Sequence, residues 1–222
     1  MERTIRVTGK GTISVKPDQI RILITQHSIE KTYEKAIKES ADKKDDLTGA
    51  LEKLGFEKSA LKTLYFNINT EYESYQAKDK SWKDRLIGYS YTHRMKLEFP
   101  ADNDTLGKVL FALAHCPGEP QFSIEYTISD KESAKNELLV KSVEDSKAKA
   151  EVLCKSAGVK LLSIQTIDYS WNEIDFVSRP VSNLMLKSSC IGEMPMADGI
   201  GLNIEADDID ITDTVTVVWG IE

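Results

Sequence analysis

The sequence predicts an α+β fold, a mainly antiparallel sheet packed with helices, and three observations carry that prediction. Apolar residues recur at every second position near both ends of the chain, as Ile20, Ile22 and Ile24 do early and Ile209, Ile211, Val215, Val217 and Trp219 do late. The run Leu86 to Phe99 sorts Ile87, Tyr89, Tyr91, Met95, Leu97 and Phe99 onto one side and Ser90, Thr92, Arg94, Lys96 and Glu98 onto the other. That is the pattern of an antiparallel sheet with one dry and one wet face. Helical spacing is confined to three segments lying between such runs, which gives layers of helix on sheet rather than a doubly wound parallel sheet.

The elements follow in order. Thr4 to Val15 and Gln19 to Ile29 read as strands joined by a turn at Pro17-Asp18. Thr32 to Leu54 reads as a helix with Tyr33, Ile37, Leu47, Leu51 and Leu54 as its apolar members and Gly55 as its C-terminal cap. Leu61 to Tyr75 alternates through Leu64, Phe66 and Ile68, and Ala77 to Asp84 is an exposed hairpin tip before the strand Leu86 to Phe99. Leu106, Val109, Leu110, Leu113 and Ala114 make one apolar helix stripe begun near Asp102 or Asp104. Phe122, Ile124, Tyr126 and Ile128 form the next strand. A long helix then spans Lys131 to Ala157, with Ala134, Leu138, Val152, Leu153 and several alanines on its packing side and Gly158 ending it. Leu161 to Trp171 is strand-like, Asn172 to Asp208 is long and irregular, and Ile209 to Trp219 is the last strand. The order is β-β-α-β-β-α-β-α-β, a long loop, then β, in a single domain over residues 1–222. The stretch 172–208 holds Arg179-Pro180, Met194-Pro195-Met196 and Gly199-Ile200-Gly201, and its length points to binding or assembly, with assembly or an added hairpin ranked above an active-site lid.

Bulk properties narrow the function. A chain of 222 residues, 41% hydrophobic and 29% charged, buries a core without disulfides or metals. Its net charge of −7 argues against nucleic acid or an anionic membrane as main partner, since both bind through a basic face. Cys116, Cys154 and Cys190 have no metal or redox spacing and read as free thiols, which fits a reducing compartment. No apolar run approaches the ~20 residues of a membrane helix, and the charged start "MERTIRVTGKG" lacks the pattern of an export signal. The chain as it stands reads as cytoplasmic, or as periplasmic or envelope-associated if a leader has been trimmed.

Gly9-Lys10-Gly11-Thr12 invites a phosphate-loop reading, which fails on spacing. The first glycine of G-x-x-x-x-G-K-[ST] would stand at Thr4, and Lys10 is followed by Gly11. The dinucleotide fingerprint fails as well, with Ser14 where a third glycine belongs. Both glycines instead mark a bulge, a sharp bend or a close backbone approach. His27, His93 and His115 lack partners at metal or triad spacing. His93 shares a strand face with Tyr91 and Met95 and reads as a hydrogen-bonded core or interface histidine. His115-Cys116 is a poor nucleophile pair, because adjacent side chains seldom point at each other. Glu205, Asp207, Asp208, Asp210 and Asp213 lack the order of a calcium loop and read as a solvated face. No catalytic, cofactor-binding or metal-ligating residue is therefore assigned, and no cofactor is expected.

Ile5-Arg6-Val7-Thr8-Gly9-Lys10-Gly11 followed by Val15-Lys16-Pro17-Asp18 resembles the opening of the SIMPL-domain family. The "L-x-x-L-G" at Leu51 to Gly55, "GYSYTHRMKL" at Gly88 to Leu97 and the alanine-rich helix ending at Gly158 are similar to the same family in the same order. The resemblance spans residues 3 to 219. It implies an α+β domain that self-associates, with ring-like or channel-like oligomers among relatives and links to envelope function and oxidative stress. It implies no catalytic residues, and it makes Pro17-Asp18 and Gly88-Tyr89 determinants of the fold.

The expectation is thus a non-enzymatic, self-assembling or partner-binding protein, a homo-oligomer, with Tyr72, Tyr75, Trp82 and Trp171 as candidate interface aromatics. The alternative is a small-molecule binder or hydrolase whose pocket lies under the 172–208 stretch and draws on His93 or Asp residues.

Overall fold

The computed structural model describes residues 3–169, 174–179 and 205–222, and the fold is α+β. The elements are β1 (Arg3–Val15), β2 (Gln19–Glu30), α1 (Tyr33–Glu52), β3 (Lys62–Gln76), β4 (Trp82–Pro100), α2 (Asn103–Ala114), β5 (Gln121–Thr127), α3 (Lys131–Ala157), β6 (Leu161–Asp168), β7 (Val177–Ser178) and β8 (Ile209–Ile221). Cys190, Trp171, Pro180 and the Met194-Pro195-Met196 and Gly199-Ile200-Gly201 motifs lie outside the described residues. Within the stretch expected to be irregular, Phe176 is fully buried and Val177–Ser178 form a short strand.

The described chain forms two compact units. The first comprises Met1–Asp18, Thr127–Ser178 and Asp207–Glu222. Its sheet runs β1-β8-β6, with β8 antiparallel to both neighbours. β1 and β8 pair without interruption from Arg3↔Ile221 to Val15↔Ile209, so Gly9 and Gly11 introduce no bulge. Inward-facing Val7, Ile13, Ile211, Val215, Val217 and Trp219 meet α3. The buried side of α3 is Ala134, Leu138, Ser142, Ser146, Ala150 and Cys154, one residue in every four. Expected packing residues Val152 and Leu153 are instead 65% and 49% exposed, because the four-residue step of small side chains, not the larger apolar ones, follows the sheet. Asp130 caps the helix by accepting from Ser133 N, and Gly158 closes it at φ 69°.

The second unit comprises Gln19–Tyr126 and Arg179–Ala206. Its strands lie in the order β3-β4-β2-β5, the arrangement that a β-α-β-β-α-β chain produces when its middle hairpin adds to one side of the first strand. β4 is antiparallel to both β2 and β3. The core is aliphatic: Ile20, Ile22 and Ile24 from β2, Met95 and Leu97 from β4, Leu47 and Leu51 from α1, and Leu106, Val109 and Leu110 from α2. Asp102 caps α2 by accepting from Asp104 N and Thr105 N, and Thr32 caps α1 by accepting from Lys35 N. Three expectations are corrected. The first half of α1 buries Ala36 and Ser40, leaving Tyr33 and Ile37 exposed, because Ser40 reaches the buried His93. Leu64 and Ile87 fall at irregularities in the β3–β4 register and are exposed. The hairpin tip narrows to Ala77 to Ser81, where Ala77 N donates to Ser81 O and β4 starts at Trp82.

Candidate functional site

The glycine pair explains the first unit. A Cβ on Gly9 would stand 1.9 Å from the Ser142 carbonyl oxygen, and one on Gly11 would stand 2.3 Å from that of Leu138. Both neighbours are helix backbone, so α3 touches β1 where neither strand residue has a side chain. The same helix bonds to backbone groups of β1, which ends its sheet. Lys10 N donates to Asp145 Oδ2 at 2.6 Å, Ser146 Oγ to Val7 O at 3.3 Å, and Lys149 Nζ to Thr8 O at 3.4 Å. Hydrogen bonds from Lys149 and Lys10 hold the Asp145 carboxyl below its ordinary range. A carboxylate thus takes the amide that a phosphate loop would offer.

His93 is buried on the helix-facing side of the sheet, as its strand position suggested. Its Nδ1 lies 3.1 Å from Ser40 Oγ, its Nε2 lies 2.9 Å from Thr63 Oγ1, and Phe66 packs edge-on against the ring. Burial, then the charge of Lys44, push its pKa down, which favours the neutral ring. Next to it, Gln26 Nε2 donates to Lys43 O, while Gln26 Oε1 is buried without a hydrogen-bond partner among the described residues. Burial raises the Tyr91 pKa, against the opposing pull of the Lys43 ammonium 5.9 Å from its ring centre. His27 is exposed beside Thr92, and His115 Nδ1 turns to Phe111 O at 2.8 Å rather than to its buried neighbour Cys116.

Of the acidic run, Glu205, Asp207, Asp208 and Asp210 are exposed. Asp213 departs from that expectation: it points inward opposite Gly11 and is 6% exposed. Tyr169 Oη donates to its carboxylate at 3.0 Å, as does Thr214 N at 2.8 Å. Among the described residues no group of three or more His, Cys, Asp or Glu could hold a metal.

The uncovered surface of the second unit lies along β3, which ends its sheet and pairs only with β4 among the described strands. β2 stops at Glu30, opposite Tyr89, so Glu71 to Gln76 and Trp82 to Ile87 continue as a two-stranded arm. Gly88 marks the exit, since a Cβ there would meet Glu30 O at 2.5 Å. One face of the arm pairs Tyr72 with Leu86 and Gln76 with Trp82; Trp82 is 71% exposed. The other carries the Arg85–Glu73 ion pair at 2.7 Å and the Arg85 guanidinium 5.8 Å from the Tyr75 ring centre. Tyr72, Tyr75 and Trp82 were legible as interface candidates. Phe66 was not, because alternation assigns it to a core, and neither was Leu86, which alternation places on the wet side of its run.

The fold and this surface define a two-unit α+β protein whose β3 edge is aromatic and uncovered among the described residues. The chain matches the family SIMPL, described as "Protein of unknown function (DUF541)", over residues 5–219, and it belongs to that family. No curated protein matches it. No helix among the described residues is long and apolar enough to cross a membrane.

Proposed function

We propose that this protein works by association, with copies of itself or with a partner chain, through the open side of the second unit. The observation that carries the reading is the β3 edge with its arm. A two-stranded ribbon with both faces in water is marginally stable by itself, yet this one displays Tyr72, Tyr75, Trp82 and Leu86 at exposures of 41% to 71%. A free strand edge flanked by aromatic side chains is the usual template for adding another strand. Cys116 and Cys154, free and buried, fit action in a reducing compartment.

Light scattering over a wide concentration range tests the reading. The expected result is a mass above one chain that falls when Trp82 and Tyr72 are both replaced by Ser. A strict monomer at high concentration, in the absence of any captured partner, overturns it.

A further inference from the structure

We infer that the occupant of this edge is the β3 of a second copy, antiparallel to the first, with a two-fold axis passing at Asn69. The inference rests on the association reading above and names its contact. Four described strands end their sheets: β1, β6, β3 and β7, the last only two residues long. β1 is closed by Asp145 and Lys149 of α3, which take Lys10 N and Thr8 O. β6 spans eight residues and carries two register irregularities, which spoil an edge as a template. β3 spans fifteen residues and pairs continuously from Tyr65 to Glu71; beyond that the extra residue, Ile87, belongs to β4. It is the longest regular edge left open.

Charge and side-chain size then choose the register. Residues directly opposed in an antiparallel pair lie on one face, so two-fold-related copies match residues of like parity. An axis at Glu71 or Glu73 would set that carboxylate against itself, and one at Tyr72 would oppose Glu71 to Glu73 twice. Like charges directly opposed are unfavourable. An axis at Asn69 places Glu71 against Asn67 and Glu73 against Tyr65. On the other face it places Phe66 against Tyr72 and Ile68 against Thr70, each pair occurring twice. Phe66 and Tyr72 are 45% and 59% exposed in one copy and become mutual aromatic pairs across the axis. Axes at Ile68 or Thr70 avoid like charges but oppose Phe66 to Thr70 or Ser74 and lose those aromatic pairs. Asn69 is itself exposed and accepts from Asn67 Nδ2 at 3.0 Å on the same strand.

The test uses the full chain in a Cys190→Ser background. Opposed residues at the axis have Cα atoms about 4.5–5.5 Å apart, within disulfide reach. Asn69→Cys should therefore form a covalent dimer on mild oxidation at least about tenfold faster than Asn67→Cys, whose two copies would stand four positions, roughly 13 Å, apart along the strands. Asn69→Glu should weaken association by about tenfold, and Asn69→Ser should leave it unchanged. If the parent associates but Asn69→Cys cross-links no faster than Asn67→Cys, this contact is wrong while the association reading stands. If the parent is a strict monomer, both fall. Circular dichroism of each variant matching the parent shows that the fold has not been lost at this solvent-facing position.

Discussion

Helices cover both sheets, but the two contacts are made of different matter. α3 meets β1 across glycine, serine and alanine, so close that helix carbonyls occupy the space of the missing Cβ atoms of Gly9 and Gly11. α1 and α2 meet β2 and β4 across Ile22, Ile24, Leu47, Leu51 and Leu110, at ordinary side-chain distance. The first contact is fixed by sterics and by hydrogen bonds such as Ser142 Oγ to Asp213 O. The second is held by buried apolar area. A backbone-to-backbone contact has no soft side chain to yield, whereas an aliphatic core relaxes around small losses.

The comparison can be broken or sharpened by single substitutions. The largest effect belongs to Gly9→Ala. One added methyl group has to displace the Ser142 carbonyl, so urea unfolding should show a loss at or beyond the top of the about 1–3 kcal/mol typical of overpacking. A loss under about 1 kcal/mol would show that α3 can lift and that the seam is not rigid. Removing one methyl group from the other core, by Ile22→Val, should cost only about 0.5–1.5 kcal/mol in the same measurement. Gly49→Ala reverses the sign. Gly49 lies within α1 and nothing stands within 4 Å of its missing Cβ, so the variant should gain about 0.5–1 kcal/mol.

The smallest effect is one of pH. His93 has a folded pKa below its ordinary value of 6.5, so between the two values the unfolded chain binds more protons than the folded one. Stability should therefore be fully present above pH about 6.5 and decline as the pH falls through that window toward the folded value. Urea midpoints at pH 7.5 and 5.5 measure the slope, and His93→Gln should reduce it. An unchanged slope in that variant would assign the acid sensitivity to other groups.

Much of the fold was legible because its signals are local. The boundaries of α3, capped by Asp130 and Gly158, and the alternation of β2, β4 and β8 require no tertiary knowledge. The glycines of β1 were readable as a close approach, though not what approaches them. The one-in-four spacing from Ala134 to Cys154 was available in the sequence, but serine and alanine carry little hydrophobic weight, and Val152 and Leu153 outweighed them. Tyr33, Ile37, Leu64 and Ile87 misled for a related reason: apolarity shows what can be buried, whereas burial depends on which neighbour arrives. For the candidate site, exposed aromatics could be named, but the bare edge of β3 is a property of strand order. Asp213 was hidden among exposed acidic neighbours, since what sets it apart is a tertiary partner, Tyr169.

The order of β1-β8-β6 has a bearing on how the chain is made. β8 occupies the centre of that sheet yet is made after both of its neighbours, so β1 emerges with its strand partner among the described residues still 194 residues away, counting from Val15 to Ile209. At the usual pace of synthesis that interval is roughly 10–40 s. During it β1 carries unpaired N–H groups and an alternating apolar face, while the elements from β2 through β5 have already been delivered in one continuous piece. The strand made earliest in that sheet is therefore among the last to find its place. A nascent chain stalled before Ile209 should present β1 to chaperones and proteases as an unsatisfied strand.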